Sequence, residues 1–205
     1  MKKNIIIALV ACVVMFIAYS LILSYYRKKI TKKAFDLIKA QKGPQLDELL
    51  TKKSTSFFLK PFELYRLKLI NAASKGNQNE IANRYAAFDT LRMNKAEKEN
   101  IYSDAYFYFM SRQDSEHASK YYKLLEEIGD YKNKFNIECS YNTFIEHGYK
   151  YLDDALVRYN SSNDAQKISL ASLISSMYAN KGDKQNAIKY DEVAKKGVEK
   201  IKKNK

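Results

Sequence analysis

The stretch YANKGDKQNAIKYDEVA, residues 178–194, contains the pattern that decides the fold of this chain. An apolar run with helical spacing ends near Tyr178, the segment 180–183 (NKGD) interrupts it, and apolar residues resume with Ala187 and Ile188. Glycine suits the end of a helix before a tight turn because it adopts left-handed backbone angles at little cost. The stretch therefore predicts a helix, a short turn and a second helix.

The same interruption recurs along the chain at nearly constant spacing. Successive turn residues are 33, 37, 35 and 34 positions apart, and they are Gly43, Gly76, Gln113, Gly148 and Gly182. Between these turns apolar residues recur every three or four positions, and no sustained alternation appears. The pattern predicts that residues 32–205 are helical throughout. It also predicts helix starts at Asn77 with Glu80 and at Asn94 with Glu97, which have the spacing of a capping box.

Side chains around the turns also repeat. In the second unit Tyr102, Tyr106 and Phe109 precede Gln113, and Ala118 follows it. The unit length, the turn and the small residue resemble the tetratricopeptide repeat, whose helix-turn-helix unit has about 34 residues. The resemblance covers residues 60–200, and residues 32–58 more loosely. The chain departs from that pattern in lacking its tryptophan and closing proline, so a divergent α-solenoid stays open as the alternative.

The resemblance implies an all-α fold, an α-solenoid of about four hairpins over residues 59–200, whose concave face is lined by the first helix of each hairpin. The carboxylate clamp of chaperone-binding relatives is missing, because Arg66, Ser103, Glu138 and Ser172 occupy one of its tiers. An apolar patch of Ile70, Phe107, Met110 and Ile145 would suit an apolar or helical peptide; the alternative is that the chain's own helices cover it. The predicted concave-face residues are Arg66, Ile70, Ala73, Ser103, Phe107, Met110, Glu138, Asn142, Ile145, Ser172 and Ser176.

The N-terminal part of the chain has a different composition. No side chain from Asn4 to Tyr26 is charged, and the apolar core 5–23 would span roughly 28 Å as a helix, close to the thickness of a bilayer's hydrocarbon. The sequence therefore predicts a tail over 1–4 and a transmembrane helix over 5–26. Aromatic and basic residues that suit the membrane interface follow: Tyr25, Tyr26, Arg27, Lys28, Lys29, Lys32 and Lys33.

Two alternatives compete with a retained transmembrane helix. A cleaved signal peptide fits less well, since the apolar run is too long and no small-x-small site precedes the bases. The segment 9–12 (LVAC) resembles a bacterial lipobox and would make the chain a lipoprotein anchored through Cys12. The apolar run continues to Leu23, however, which favours Cys12 as an ordinary residue of the span.

The charge of the chain lies at its ends. The formal charge is +13, while residues 61–180 hold 15 bases and 16 acids and are nearly neutral. Residues 27–60 hold ten bases and three acids, which predicts a basic juxtamembrane region over 27–58 on anionic headgroups, and a basic tail is predicted over 201–205. The tyrosine-rich part of the chain is not basic, so nucleic acid is not predicted as a partner.

The basic residues also bear on membrane orientation. The cluster after the span outnumbers Lys2 and Lys3, so the positive-inside rule favours the repeat domain in the cytoplasm of a single-pass cell-membrane protein. A short Met-Lys-Lys start, which often marks an uncleaved signal anchor, argues for the opposite side.

No motif of catalysis or cofactor binding occurs. His117, His147 and Cys139 are too few to form a zinc site, and Asp153 and Asp154 fit a helix N-terminus better than a catalytic pair. We therefore predict no cofactor, no metal and no enzymatic activity. The predicted function is a membrane-anchored scaffold or adaptor that binds a protein or peptide partner near the bilayer. The alternatives are an extracytoplasmic accessory subunit of a secretion or envelope-assembly machine, and a surface lipoprotein.

Overall fold

The prediction of an all-α fold is confirmed. A computed structural model describes the backbone of residues 2–203, and the side chains of residues 9, 10 and 12–202. This described part of the chain consists of helices joined by short turns, with no strand. The helices are α1 (Lys2–Lys39), α2 (Gly43–Thr51), α3 (Lys53–Phe58), α4 (Pro61–Lys75), α5 (Gln78–Phe88), α6 (Lys95–Ser111), α7 (Ser115–Ile128), α8 (Lys134–Phe144), α9 (Leu152–Ser161), α10 (Asp164–Lys181) and α11 (Lys184–Lys203).

The chain divides into two compact units, Met1–Glu97 and Lys98–Lys205. The predicted tail, span and juxtamembrane region all belong to the first unit, and α1 continues without interruption through the predicted boundary between residues 26 and 27. No helix in the described part of the chain is long and apolar enough to cross a membrane, so the span predicted over 5–26 finds no support there. Residues 5–8 and Ala11 of that span lie outside the side chains that the structure describes, as do residues 203–205 of the predicted basic tail.

The turns follow the predicted period, but the left-handed residue is not always the glycine. Gly76 and Gly182 have φ of 70° and 85°, and Gln113 has φ of 58°. At the other two turns the left-handed residues are Gln41 (φ 54°) and His147 (φ 52°), so the left-handed residues of these five turns lie 35, 37, 34 and 35 positions apart. Gly129 (φ 82°) and Asn133 (φ 62°), in the connection between α7 and α8, also have positive φ. The hairpin turns are therefore regularly spaced, although the left-handed position is not always occupied by glycine.

Gly148 is needed for a different reason. Its φ is not positive, and a Cβ atom built on it would lie 2.5 Å from Nδ2 of Asn142, closer than real side chains approach. The Asn142 side chain fills that space because its Oδ1 accepts a hydrogen bond of 3.1 Å from the backbone N–H of Lys150. This glycine lets an asparagine side chain brace the turn between α8 and α9.

The first unit has an apolar core formed by the second half of α1 with α2 and α4. Its buried residues are Ala34, Leu46, Leu49, Leu50, Leu59, Leu64 and Leu67. Residues 27–58 therefore share a core with the first helix of the predicted repeat domain. Asp47 of α2 adds polar contacts to α4, where it binds the amide of Asn71 and the ammonium group of Lys75.

The second unit is a succession of three helical hairpins, α6–α7, α8–α9 and α10–α11. Within the first hairpin the rings of Phe109 and Tyr121 stack at 5.7 Å, and Ala118 is fully buried. The hydroxyl of Tyr106 on α6 reaches α8, where it lies 3.2 Å from the carbonyl of Ile137 and 2.7 Å from Oγ of Ser140. Each of these contacts joins neighbouring helices, which is how a helical repeat builds a continuous core.

The third hairpin is attached to the second by apolar packing and by two hydrogen bonds from one side-chain amide. Helix α10 packs against α8 and α9 as well as α11, and its residues Ile174 and Met177 are fully buried. Near its end, Nδ2 of Asn180 donates to the carbonyls of Thr143 (2.8 Å) and Gly148 (3.0 Å). A single side chain therefore satisfies two carbonyls at the end of α8 and its turn.

The predicted helix starts are confirmed in detail. Oδ1 of Asn77 accepts a hydrogen bond from the N–H of Glu80 at 3.1 Å. Asn94 and Glu97 form the complete reciprocal pair, with distances of 2.9 and 3.0 Å. These caps satisfy N–H groups that a helix start leaves without partners and so fix where α5 and α6 begin.

Candidate partner-binding groove

An open apolar cavity of about 720 Å³ lies in the second unit, at the ends of α6 and α8. Three residues predicted for the concave face line it together, namely Phe107, Met110 and Ile145. Phe144, which the sequence did not select, completes the apolar wall. The lining residues are Phe107, Met110, Ser111, Gln113, Asp114, Ser115, Ser140, Phe144 and Ile145, and we call this cavity the α6–α8 groove.

The two phenylalanines of the groove are unusually accessible. Tyr106 and Phe109 of α6 are buried in the core of the second unit. Phe107 lies on the outer face of the helix, with 43% of its surface exposed. Phe144 is the last residue of α8 and is 45% exposed. Because a phenylalanine gains about 1.5–3 kcal/mol from full burial, two half-exposed rings in one groove favour the binding of another apolar surface.

The rim of the groove is polar at one end. Asp114 caps α7, and its carboxylate accepts hydrogen bonds from the N–H of His117 (3.1 Å) and from Nδ1 of the same residue (2.9 Å). Burial opposes ionisation of Asp114, yet these two hydrogen bonds hold the pKa of its carboxyl below the ordinary value. A negative charge therefore stands at the edge of the apolar wall at neutral pH.

A second cavity of about 470 Å³ adjoins the groove through Phe107. Its lining is more polar and includes the guanidinium group of Arg158, together with Leu170 and Leu173 of α10. The other lining residues are Asn136, Ser161, Ser162, Gln166 and Ser169. Phe107 thus separates an acidic end from a basic end, an arrangement able to orient a bound peptide.

The other residues of the second unit that were predicted for the concave face lie outside the α6–α8 groove. Asn142 serves the turn at Gly148, and the carboxylate of Glu138 lies 3.8 Å from the ammonium group of Lys134. Ser172 lines a separate cavity between α10 and α11, and Ser176 donates to its carbonyl at 3.2 Å. Ser103 is half-buried on α6.

The predicted residues of the first unit all lie on α4. Arg66 and Ala73 are exposed there, and Ile70 is half-buried. These residues belong to the first compact unit, Met1–Glu97.

Two of the predicted membrane-interface residues make contacts inside the first unit. The ring of Tyr26 stacks on Phe58 at 4.8 Å, and Arg27 donates from Nε to the carbonyl of Phe58 at 3.3 Å. Tyr25 is 63% exposed. The other predicted interface residues are exposed along α1, namely Lys28, Lys29, Lys32 and Lys33.

The cysteine and the two histidines considered as metal ligands each take part in core packing, ring stacking or a turn. Cys139 is fully buried, and burial raises the pKa of its thiol to about 12, so it stays protonated at neutral pH. His117 stacks on Phe109 at 4.6 Å. His147 supplies the left-handed residue of its turn. Where side chains are described, no three His, Cys, Asp or Glu residues are placed to hold a metal ion together.

Sequence reasoning did not select Phe144, which continues an apolar row of α8. The helical period carries from Ile137 through Tyr141 to Phe144. Helix α8 ends at Phe144, however, and the last residue of the row turns outward. The signal that could have revealed it is the early end of α8, since Gly148 and Asn142 together form a longer turn there.

Comparison of the chain with models of protein families, with curated proteins and with solved structures finds no match.

Proposed function

We propose that this protein is a membrane-anchored, non-enzymatic adaptor whose helical repeat domain binds a protein or peptide partner near the bilayer. The α6–α8 groove carries the proposal, because Phe107, Met110, Phe144 and Ile145 form an apolar wall beside a charged rim. Grooves of this kind suit an amphipathic helix or an apolar peptide. The groove needs no cofactor and no metal for that role.

The turn period supports the assignment of a tetratricopeptide-like repeat. Within the hairpin turns, left-handed residues recur every 34–37 positions, and hairpins α6–α7, α8–α9 and α10–α11 contact their neighbours. A repeat built from hairpins displays one helix of each pair on a common face, where a partner can contact several units at once.

The exposed surface of α1 supports the membrane anchor. Large apolar side chains from Leu9 to Ile22 are 52–70% exposed, with Phe16 the most exposed of them. The first unit buries none of these side chains, although a contiguous apolar surface of this length is costly in water. The hydrocarbon of a bilayer would cover this apolar surface and remove it from water. The basic residues 27–33 would in addition favour a bilayer with anionic headgroups on their side.

Photocrosslinking tests the groove. With a photoreactive residue at Phe107 in living cells, we expect one dominant adduct, and with the same residue at Val157 we expect none. Val157 lies in the same unit and is 68% exposed, but it does not line the groove. Burying a charge in an apolar interface is unfavourable, so Phe144→Asp should reduce the adduct at least about tenfold.

The matched control is Val157→Asp, which should leave the adduct from position 107 unchanged. Equal adducts from positions 107 and 157, or an adduct that survives Phe144→Asp, would mean that the groove is not the binding surface.

For membrane orientation, we propose that the repeat domain faces the cytoplasm. The cluster from Arg27 to Lys33 carries more positive charge than Lys2 and Lys3, as the positive-inside rule requires. The domain should then resist protease added to intact cells and become sensitive once the membrane is opened. Digestion in intact cells would instead favour the extracytoplasmic accessory role.

A further inference from the structure

Helix α3 is held beside α1 at the level where the apolar run of α1 ends. Tyr26 stacks on Phe58 with ring centroids 4.8 Å apart and an interplanar angle of 21°. One residue later, Arg27 donates from Nε to the carbonyl of Phe58, and its guanidinium group lies 3.5 Å from Oε2 of Glu63. The two contacts with Phe58 fix the end of α3 next to the predicted membrane boundary, and the contact with Glu63 joins α1 to α4.

The internal contacts of α3 fix which of its faces points outward. Thr55 is 1% exposed, and its Oγ1 donates to the carbonyl of Leu49 at 2.7 Å. Residues two apart in a helix point about 200° apart, so Phe57 must face away from this buried hydroxyl. Its ring is indeed 65% exposed and touches only the edge of Phe58, at 5.1 Å, among the ring contacts described.

The charge around Phe57 is positive. Between Glu48 and Glu63, which bind Lys52 and Arg27, the chain contains Lys52, Lys53 and Lys60 and no acidic residue. Lys52 is paired with Glu48 at 3.0 Å, whereas Lys53 and Lys60 are exposed and lie four residues before and three residues after Phe57 in the sequence. An exposed aromatic ring between lysines is the composition that binds the interface of an anionic bilayer.

We propose that α3 is a second membrane contact, in which Phe57 enters the headgroup region of an anionic bilayer while Lys53 and Lys60 bind lipid phosphates. The two ring contacts put the centroid of Phe57 within about 10 Å of that of Tyr26. The interfacial zone on each side of a bilayer is roughly 5–8 Å deep, and Tyr26 lies at the predicted edge of the span, so Phe57 lies close to this zone. This inference rests on the proposed anchoring of α1, and it assigns α3 the task of holding the first unit against the membrane.

The absence of tryptophan from the chain allows a direct test. In the full-length Phe57→Trp variant the single tryptophan reports on its own surroundings, and the exposed position tolerates the larger ring. The protein, purified in detergent, is reconstituted into phosphatidylcholine vesicles that contain or lack phosphatidylglycerol. With the anionic lipid, we expect the emission of the introduced tryptophan to shift to the blue and to be quenched by lipids brominated near the headgroup.

Two variants serve as controls. Val157→Trp carries its reporter on an exposed residue of the second unit, and its emission should not change. Lys53→Gln with Lys60→Gln in the Phe57→Trp background should weaken the interfacial contact roughly fivefold for each lysine, seen as a loss of quenching.

The outcomes separate this inference from the proposed function. If the Phe57→Trp protein floats with vesicles but its tryptophan emits as it does in buffer, α3 does not contact the membrane and only this inference is overturned. If vesicles without phosphatidylglycerol give the same quenching, the role of the lysines is overturned. If the protein does not float with vesicles at all, the proposed anchor fails and this inference fails with it.

Discussion

Replacing Tyr106 with alanine is expected to lower the free energy of unfolding by about 3–5 kcal/mol, a typical cost of removing a large buried aromatic ring. Tyr106 is fully buried, and its hydroxyl contacts Ile137 and Ser140 of the next hairpin. The substitution therefore leaves a cavity at the junction between α6 and α8. Urea unfolding followed by circular dichroism measures the loss.

The matched control for this prediction is Tyr106→Phe, which keeps the ring and removes only the hydroxyl. Burial already raises the pKa of this phenol, so the group that is lost is neutral. Ser140 also donates to the carbonyl of Ile137 at 3.0 Å and keeps that acceptor satisfied. We expect a cost of about 0.5–1.5 kcal/mol. If alanine and phenylalanine at position 106 cost the same, Tyr106 does not join the two hairpins.

Helix content and turn period could be predicted from the sequence because both depend on local preferences. Caps such as Asn94 with Glu97 act over three residues, and the helical period is visible in any run of a dozen. The left-handed residue was harder to predict. Gly148 looks like the turn residue, but its missing Cβ makes room for Asn142, and His147 adopts the left-handed angles instead. That choice depends on a side chain six positions away.

The groove could be predicted in part. Phe107, Met110 and Ile145, all predicted for the concave face, line the groove; the first two lie on α6 and Ile145 directly follows α8. Asn142, also predicted for that face, braces a turn instead, and Phe144 was not selected. Both differences occur at the end of α8, where the helical period no longer applies.

The basic region was predicted by charge alone, and charge does not show which residues are used internally. Arg27 contacts Phe58 and Glu63, and Tyr26 stacks on Phe58, so neither side chain is simply directed at lipid. Phe57, the most exposed aromatic ring of the short helix α3, was not selected at all. Its exposure follows from the burial of Thr55, a contact between helices that no local pattern reveals.

The largest effect on membrane attachment is expected from Val13→Asp combined with Ile17→Asp. These residues are one helical turn apart on α1 and are 57% and 52% exposed, so their replacement does not disturb the core of the first unit. A charged aspartate near the centre of a membrane helix raises the free energy of insertion by about 2.5–3.5 kcal/mol. Two of them on one face should shift the partition of the protein between membrane and water more than about a thousandfold towards water. The control is Val157→Asp with Ile188→Asp, which places the same two charges on exposed positions of the second unit.

Alkaline extraction of cell membranes tests the central claim most directly, because it removes proteins held only by surface charge and retains those held in the hydrocarbon. The account predicts that the native protein and the Val157→Asp/Ile188→Asp control stay in the membrane pellet. It predicts that the Val13→Asp/Ile17→Asp variant moves to the supernatant. Release of the native protein into the alkaline supernatant would contradict the account.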